Sequence, residues 1–208
     1  MDARTQISRY DEDDRTLHWA VAIAFFLAAL SGLALFHPAL FWLSSLFGGG
    51  PWTRILHPYI GVVMFVAFLL MALRFWSHNK IEDRDRQWLR QWRDVVANRE
   101  DKLPEVGRYN AGQKLLFWVL LICMITLLVT GILFWRPWFA PYVPITLVRL
   151  ATLLHAAAAS ILIIVIMGHM YLAFWTKGSI RAMMRGTVSA RWAYKHHRGW
   201  LKEKVKQT

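Results

Sequence analysis

Four long apolar runs, nearly free of charge, constrain this chain more than any other feature. They cover roughly Leu17 to Phe36, His57 to Trp76, Leu115 to Trp135 and Leu150 to Trp175, and each meets the ~20 residues that a helix needs to cross a hydrocarbon core. Inside hydrocarbon every backbone N–H and C=O must be bonded within the chain, so such runs fold as helices. With 56% of the 208 residues hydrophobic and clustered in this way, a water-soluble globular domain is excluded. The expected fold is an all-α membrane protein, a bundle of four transmembrane helices at about 17–36, 55–76, 113–135 and 150–175 within one membrane domain, 1–208. The first run is read as a retained helix rather than a signal peptide, because Asp11, Glu12, Asp13 and Asp14 flank it and it exceeds the ~7 to 15 residues of a typical h-region.

Orientation follows from where lysine and arginine fall near the helix ends. The segment Phe36 to Ile55 holds only Arg54, and Arg136 to Leu150 only Arg136 and Arg149. The connection 77–111 carries eight basic residues, and the tail 176–208 carries nine against the single acid Glu203. Both termini and the 77–111 connection are therefore expected in the cytoplasm, and the net charge of +12 is assigned to topology and the lipid surface rather than to nucleic acid. Within the connection, Trp88, Leu89, Trp92, Val95 and Val96 recur at helical spacing among arginines, which predicts a short amphipathic helix lying on the inner surface or packed on a soluble partner. Pro58 is expected in the first turn or two of the second helix.

The histidines carry the chemistry. Cys123 is the only cysteine, so no thiolate cluster is available and any metal must be held by imidazole. His155 and His169 lie fourteen residues apart in the last run, which on a helix is about 21 Å along the axis and within about 40° of the same face. An intramembrane ionisable group is costly and marks function by default. In the orientation above, His155 lies towards the outside with His37 and His57, and His169 towards the inside with His18 and His78. Two imidazoles hold a haem through its two axial positions, so the pattern fits two b-type haems stacked across the membrane. His57 with His155 and His18 with His169 is the favoured pairing. His37, followed by Pro38, and His78, followed by Asn79 and Lys80, remain as interfacial alternatives. Gly32 shares a face with His18 at the depth of the outer haem, where it lets a porphyrin edge approach or simply packs helix on helix. Arg54 and Arg149 outside, and Arg15, Arg74 or Lys114 inside, are candidate partners of haem propionates, with snorkelling to lipid phosphate as the ordinary alternative. The tail histidines His196 and His197 read as solvated.

No Asp or Glu occurs between Asp14 and Glu82 or between Glu105 and Glu203. A carboxylate-driven carrier and a Ser-His-acid hydrolase are thereby disfavoured.

The ordered series RTLHWA, RILHPYIGV, VGRYNAGQKLLFW, VTGILFWRPWFA and HMYLAFWTKGSIRAMMRGTVSARWAYKHH resembles the gamma subunit (cytochrome b556) family of bacterial respiratory formate dehydrogenases, over nearly the whole chain after about Arg15. The resemblance implies an inner-membrane electron-transfer subunit. Its partners would be an iron-sulfur beta subunit and a molybdenum or tungsten catalytic alpha subunit that performs the formate chemistry. It implies His57 and His155 as ligands of the outer haem b, and His18 and His169 as ligands of the inner one. It also implies a quinone site at Asn110, Gly112, Gln113 and His169, reducing menaquinone or ubiquinone on the cytoplasmic side. From the residues alone, Asn110 capping the third helix and Gly112 allowing close packing are an equal alternative there. Two rival readings are the cytochrome b subunit of a membrane hydrogenase or thiosulfate reductase, and a haem-free anchor or carrier.

Overall fold

The computed structural model describes residues 5–97, 99 and 102–206. Residues 98, 100 and 101 of the connection, and 207 and 208 of the basic tail, lie outside the described residues. Four long helices dominate: α1 (Glu12–Phe36) and α2 (Gly50–Phe75), then, after two short helices, α3 (Asp83–Arg90) and α4 (Trp92–Val96), the long α5 (Ala111–Leu133) and α6 (Ile145–Trp175). All four are long and apolar enough to cross a membrane. At most 22% of the residues in any of their apolar windows are buried. Most side chains therefore point outward, as a helix that is apolar all round requires of a lipid-facing surface.

The chain divides into two compact units. The first, 16–72 with 119–168, is the apolar one. Its interior is built largely from small residues, among them Ala24, Ser31, Ala34, Ala151 and Ala158. In lipid, helices associate through close backbone approach rather than by escape from water, and small side chains permit it. Between α1 and α2 runs a 3₁₀ segment, Pro38–Phe47, capped by the His37 side chain, which accepts from the Ala39 N–H at 3.2 Å. Gly48, at φ +84°, ends it in the left-handed conformation. The helix α2 then starts at Gly50, with Pro51 in its first turn. Pro58 consequently lies well inside α2, not near its start, and the Arg54 carbonyl lacks the usual N–H from four residues on.

The second unit, 5–15, 73–118 and 169–206 as described, is where the structure departs most from expectation. The tail is a small folded layer. A strand β1 (Gln6–Ser8) pairs antiparallel with β2 (Thr187–Ser189), flanked by α7 (Ser179–Arg185), α8 (Ala190–His196) and α9 (Arg198–Lys206). Ala182, Val188, Ala193 and Trp200 form its core, with Ile7, Tyr10, Trp192 and Leu201 packed against them. Gly186 turns the chain from α7 into β2 at φ +76°, and a Cβ there would sit 2.6 Å from the Tyr10 carbonyl oxygen, so only glycine fits.

His197, read from sequence as solvated, is 3% exposed. Its Nδ1–H donates to the Gly107 carbonyl at 2.9 Å and its Nε2 accepts from Arg9 at 3.1 Å. Burial and the Arg9 charge push its pKa down to about 3. The expected amphipathic helix of the connection is two pieces, α3 and α4, broken at Gln91. Leu89, Trp92 and Val96 nonetheless form exposed apolar surface along them.

Candidate functional site

The apolar unit brings His57 and His155 together. α2 presents the first and α6 the second, with ring centroids 6.3 Å apart and planes crossing at 71°. Two imidazoles that face one metal from opposite sides through bonds of about 2 Å place their ring centres roughly 6 Å apart. The spacing therefore suits a single ion held between them.

Which nitrogen is available follows from the neighbouring hydroxyls. Ser31 Oγ on α1 lies 2.9 Å from His57 Nδ1, and Thr130 Oγ1 on α5 lies 2.9 Å from His155 Nδ1. Each hydroxyl has one proton, and each directs it into its own helix, Ser31 to the Leu27 carbonyl at 2.7 Å and Thr130 to the Thr126 carbonyl at 2.6 Å. With the protons placed there, the hydroxyl oxygens accept and both imidazoles carry their hydrogen on Nδ1. The lone pair is left on Nε2, the form that ligates a metal. Phe134 packs edge-on against His155, centroid to centroid 5.0 Å, and adds an apolar wall.

Among the described residues no group of three or more His, Cys, Asp or Glu converges. Two imidazoles are sufficient, however, where a porphyrin supplies the other four ligands. The donor set fits an axially bis-imidazole haem.

Gly32 sits beside this pair. A Cβ on it would lie 3.1 Å from His57 Cε1, and one on Gly131 would lie 3.4 Å from His155 Cε1. The neighbour of Gly32 in the structure is thus the His57 ring. Ser31, Thr130 and Gly131 were not singled out by sequence reasoning. The available signal was a hydroxyl residue followed by glycine within an apolar run, occurring at 31–32 and again at 130–131.

Of the other histidines, His18 lies on α1, edge-on to Trp19 at 5.3 Å, and His169 lies on the last third of α6. His37 is the cap described above, and His78 lies in the short 3₁₀ turn after α2, edge-on to Tyr109 at 6.3 Å. The Tyr109 phenol is pushed upward in pKa, chiefly by burial.

The start of α5 holds the sequence-predicted Asn110, Gly112 and Gln113. Asn110 and Gln113 form a reciprocal cap: the Gln113 N–H donates to Asn110 Oδ1 at 2.9 Å, and the Asn110 N–H donates to Gln113 Oε1 at 3.0 Å. The Gln113 carbonyl is therefore committed to the helix, and its NH₂ is the end that can serve a ligand. Gly112 seats the Trp88 indole of α3, whose nearest carbon would lie 3.5 Å from a Cβ.

Next to this cap, Lys114 is 3% exposed and donates to Asp85 Oδ2 at 2.7 Å and to the Lys80 carbonyl at 2.9 Å. Arg74 binds Asp11 and Asp14, both at 2.9 Å, and Arg15 donates to the Met184 carbonyl at 2.9 Å. These three cations, candidates for haem propionates on sequence grounds, thus have partners within the chain itself.

Comparison with known proteins bears on this arrangement. The sequence model of the prokaryotic cytochrome b561 family matches residues 9–186. The chain is 50% identical over 190 residues to the nitrate-inducible formate dehydrogenase cytochrome b556 subunit of Escherichia coli, covering 91% of this chain and 88% of that one. A second Escherichia coli formate dehydrogenase cytochrome b556 subunit is 46% identical over all 208 residues and 98% of its own length. The formate dehydrogenase cytochrome b556 subunit of Haemophilus influenzae is 43% identical over 97% of this chain and 84% of its own. With its four membrane-length helices, the chain is a multi-pass protein of the bacterial inner membrane. It belongs to the prokaryotic cytochrome b561 family and groups with the formate dehydrogenase cytochrome b556 subunits.

Proposed function

We propose that this chain is the membrane electron-transfer subunit of a respiratory formate dehydrogenase, carrying electrons from an iron-sulfur subunit across the membrane to quinone at the cytoplasmic face. The observation that carries this reading is the His57–His155 pair, 6.3 Å between ring centroids, with both Nδ1 atoms committed to hydroxyls. The names of the relatives at 43–50% identity support the formate dehydrogenase context, and the catalytic molybdenum or tungsten subunit belongs to the proposal.

In this reading His57 and His155 hold one haem b near the outer face, and His18 and His169 hold a second near the inner face. Haem supplies a reversible one-electron centre whose potential depends on its axial ligands, their hydrogen bonds and the polarity around it. The chain's own residues do the rest. The imidazoles fix position, their hydroxyl partners fix the tautomer, and the apolar walls exclude water. Both termini and the 77–111 connection lie in the cytoplasm, where lysine and arginine are concentrated. Asn110, Gly112, Gln113 and His169 bind the quinone ring. The Gln113 NH₂ donates to a quinone carbonyl while its Oε1 holds the helix cap. No carboxylate lies within the four apolar runs, so the quinone takes its protons from the cytoplasmic side rather than through an intramembrane carboxylate relay.

The test is a reduced-minus-oxidised spectrum of the purified complex, with haem counted per chain and formate as reductant. Two b-type haems, both reduced by formate, are expected. A folded chain with no haem returns the histidines to structural roles. Two haems reduced by hydrogen, or reduced by quinol and reoxidised by thiosulfate, but not reduced by formate, move the chain to a sister complex.

A further inference from the structure

Two dipeptides on different helices repeat one arrangement. Ser31-Gly32 on α1 faces His57, and Thr130-Gly131 on α5 faces His155. In each, the hydroxyl accepts the imidazole Nδ1–H, and the glycine leaves room for the imidazole Cε1 edge.

We infer that these dipeptides are positioning residues that set the plane and the electron-donating strength of the two imidazoles, and through them the reduction potential of the haem the pair holds. The inference rests on the reading of His57 and His155 as axial ligands, and deepens it. The hydroxyls are suited to the task by burial, Ser31 being 0% and Thr130 5% exposed, so that water does not compete for the bond. Their protons are already committed to the Leu27 and Thr126 carbonyls. With those protons on the carbonyls, both hydroxyl oxygens are placed to accept from Nδ1–H. An acceptor on Nδ1–H orients a ligating imidazole and raises its basicity. A more basic axial ligand favours the ferric state, so loss of the acceptor raises the potential.

The glycines act on ring orientation, and unequally. At 3.1 Å from Cε1, a methyl at position 32 presses the His57 ring to give by a few tenths of an ångström, whereas at 3.4 Å a methyl at 131 makes ordinary contact with His155. Ring orientation has its own signature. Were a haem held between imidazole planes crossed at 71°, the two iron d orbitals that overlap the ligand π systems would be nearly equal in energy, and the ferric low-spin state would give a highly anisotropic, large-g resonance. Parallel planes split those orbitals and give an ordinary rhombic signal.

The experiment uses the whole complex, with optical redox titration and electron paramagnetic resonance of the ferric state. The haem assigned to His18 and His169 serves as internal reference. S31A and T130V should each raise the reduced-to-oxidised ratio of the outer haem at a fixed potential roughly three- to tenfold, the range set by one net hydrogen bond. T130S, which keeps the hydroxyl, should stay near the wild-type ratio. G32A should shift the large-g resonance with haem retained, and G131A should leave it in place. Unchanged ratios in haem-bearing S31A and T130V overturn the inference, as does a T130S ratio equal to that of T130V. Should S31A assemble without its haem, the T130V and T130S pair decides. Failure of the underlying reading is distinguishable: H57A and H155A would then keep the full haem count.

Discussion

His57 and His155 in the apolar unit are half-buried and His197 in the polar one is buried, and they are used in opposite ways. Each of the first two has one nitrogen bonded, to Ser31 or Thr130, which leaves the lone pair of the other for the proposed haem iron. His197 has both nitrogens committed, Nδ1 to the Gly107 carbonyl and Nε2 to Arg9, with the Trp192 ring tilted against it 5.2 Å away. It is a rivet between segments distant in sequence and has no ligating atom left. The role of an enclosed imidazole is decided by what its second nitrogen touches. Around the first two there is little but hydroxyl, glycine and apolar side chain, and around the third a web of cation, carbonyl and indole.

The largest expected effect falls on the charge web. K114M leaves Asp85 as a buried, unpaired charge beside the start of α5, a loss on the order of 3–5 kcal/mol in the polar unit. Hydrogen exchange should report it as early opening of α3, with the visible spectrum of the apolar unit unchanged. A spectrum lost together with α3 protection would break the distinction between the two regions.

Next comes R9A, which removes the hydrogen bonds to His197 and the Arg108 carbonyl and the stacking over Trp200 at 4.9 Å. About 2–3 kcal/mol of stability in the β1–β2 layer should go with it, read as faster proteolysis of the tail.

Acid acts on the same place. Folded His197 titrates near 3 and the unfolded residue near 6.5. As pH falls through 6.5 towards 3, the unfolded chain binds a proton that the folded one refuses, and stability declines. Above pH 6.5 the group contributes no slope. By pH 5 the loss is on the order of 2 kcal/mol, seen as weaker amide protection in α8 and α9, and H197Q should flatten the pH dependence.

The smallest effect on stability is that of Q113A. It removes one side of the α5 cap, about 1 kcal/mol. On the proposed quinone role it should also raise the apparent KM for quinone several-fold, because the NH₂ donor is lost with the cap. A variant with weakened capping and unaltered quinone kinetics would leave Gln113 a structural residue only.

The four membrane helices were legible because hydrocarbon permits few alternatives, so length and apolarity alone identify them. His57 and His155 stood out because an imidazole is expensive in such a run. The start of α2 was misjudged by giving Pro58 more weight than the Gly48-Gly49 stop and the Pro51 start. The folded tail was hidden for a different reason. Its strand pairs Ile7 with Val188, a contact no local pattern encodes, and its nine basic residues masked a core of alanine, valine and tryptophan. His197 could not be read as buried until Arg9 and Gly107 were seen beside it. The hydroxyl partners of His57 and His155 share that limit, since Ser31 meets His57 and Thr130 meets His155 only across helices.

Counting haem in the purified complex, wild type against H155A, tests the account most directly. Two haems b per chain in the wild type and one in H155A, with the four helices intact, is the result the account predicts. An unchanged count in H155A would contradict it, because the pair 6.3 Å apart would then hold nothing.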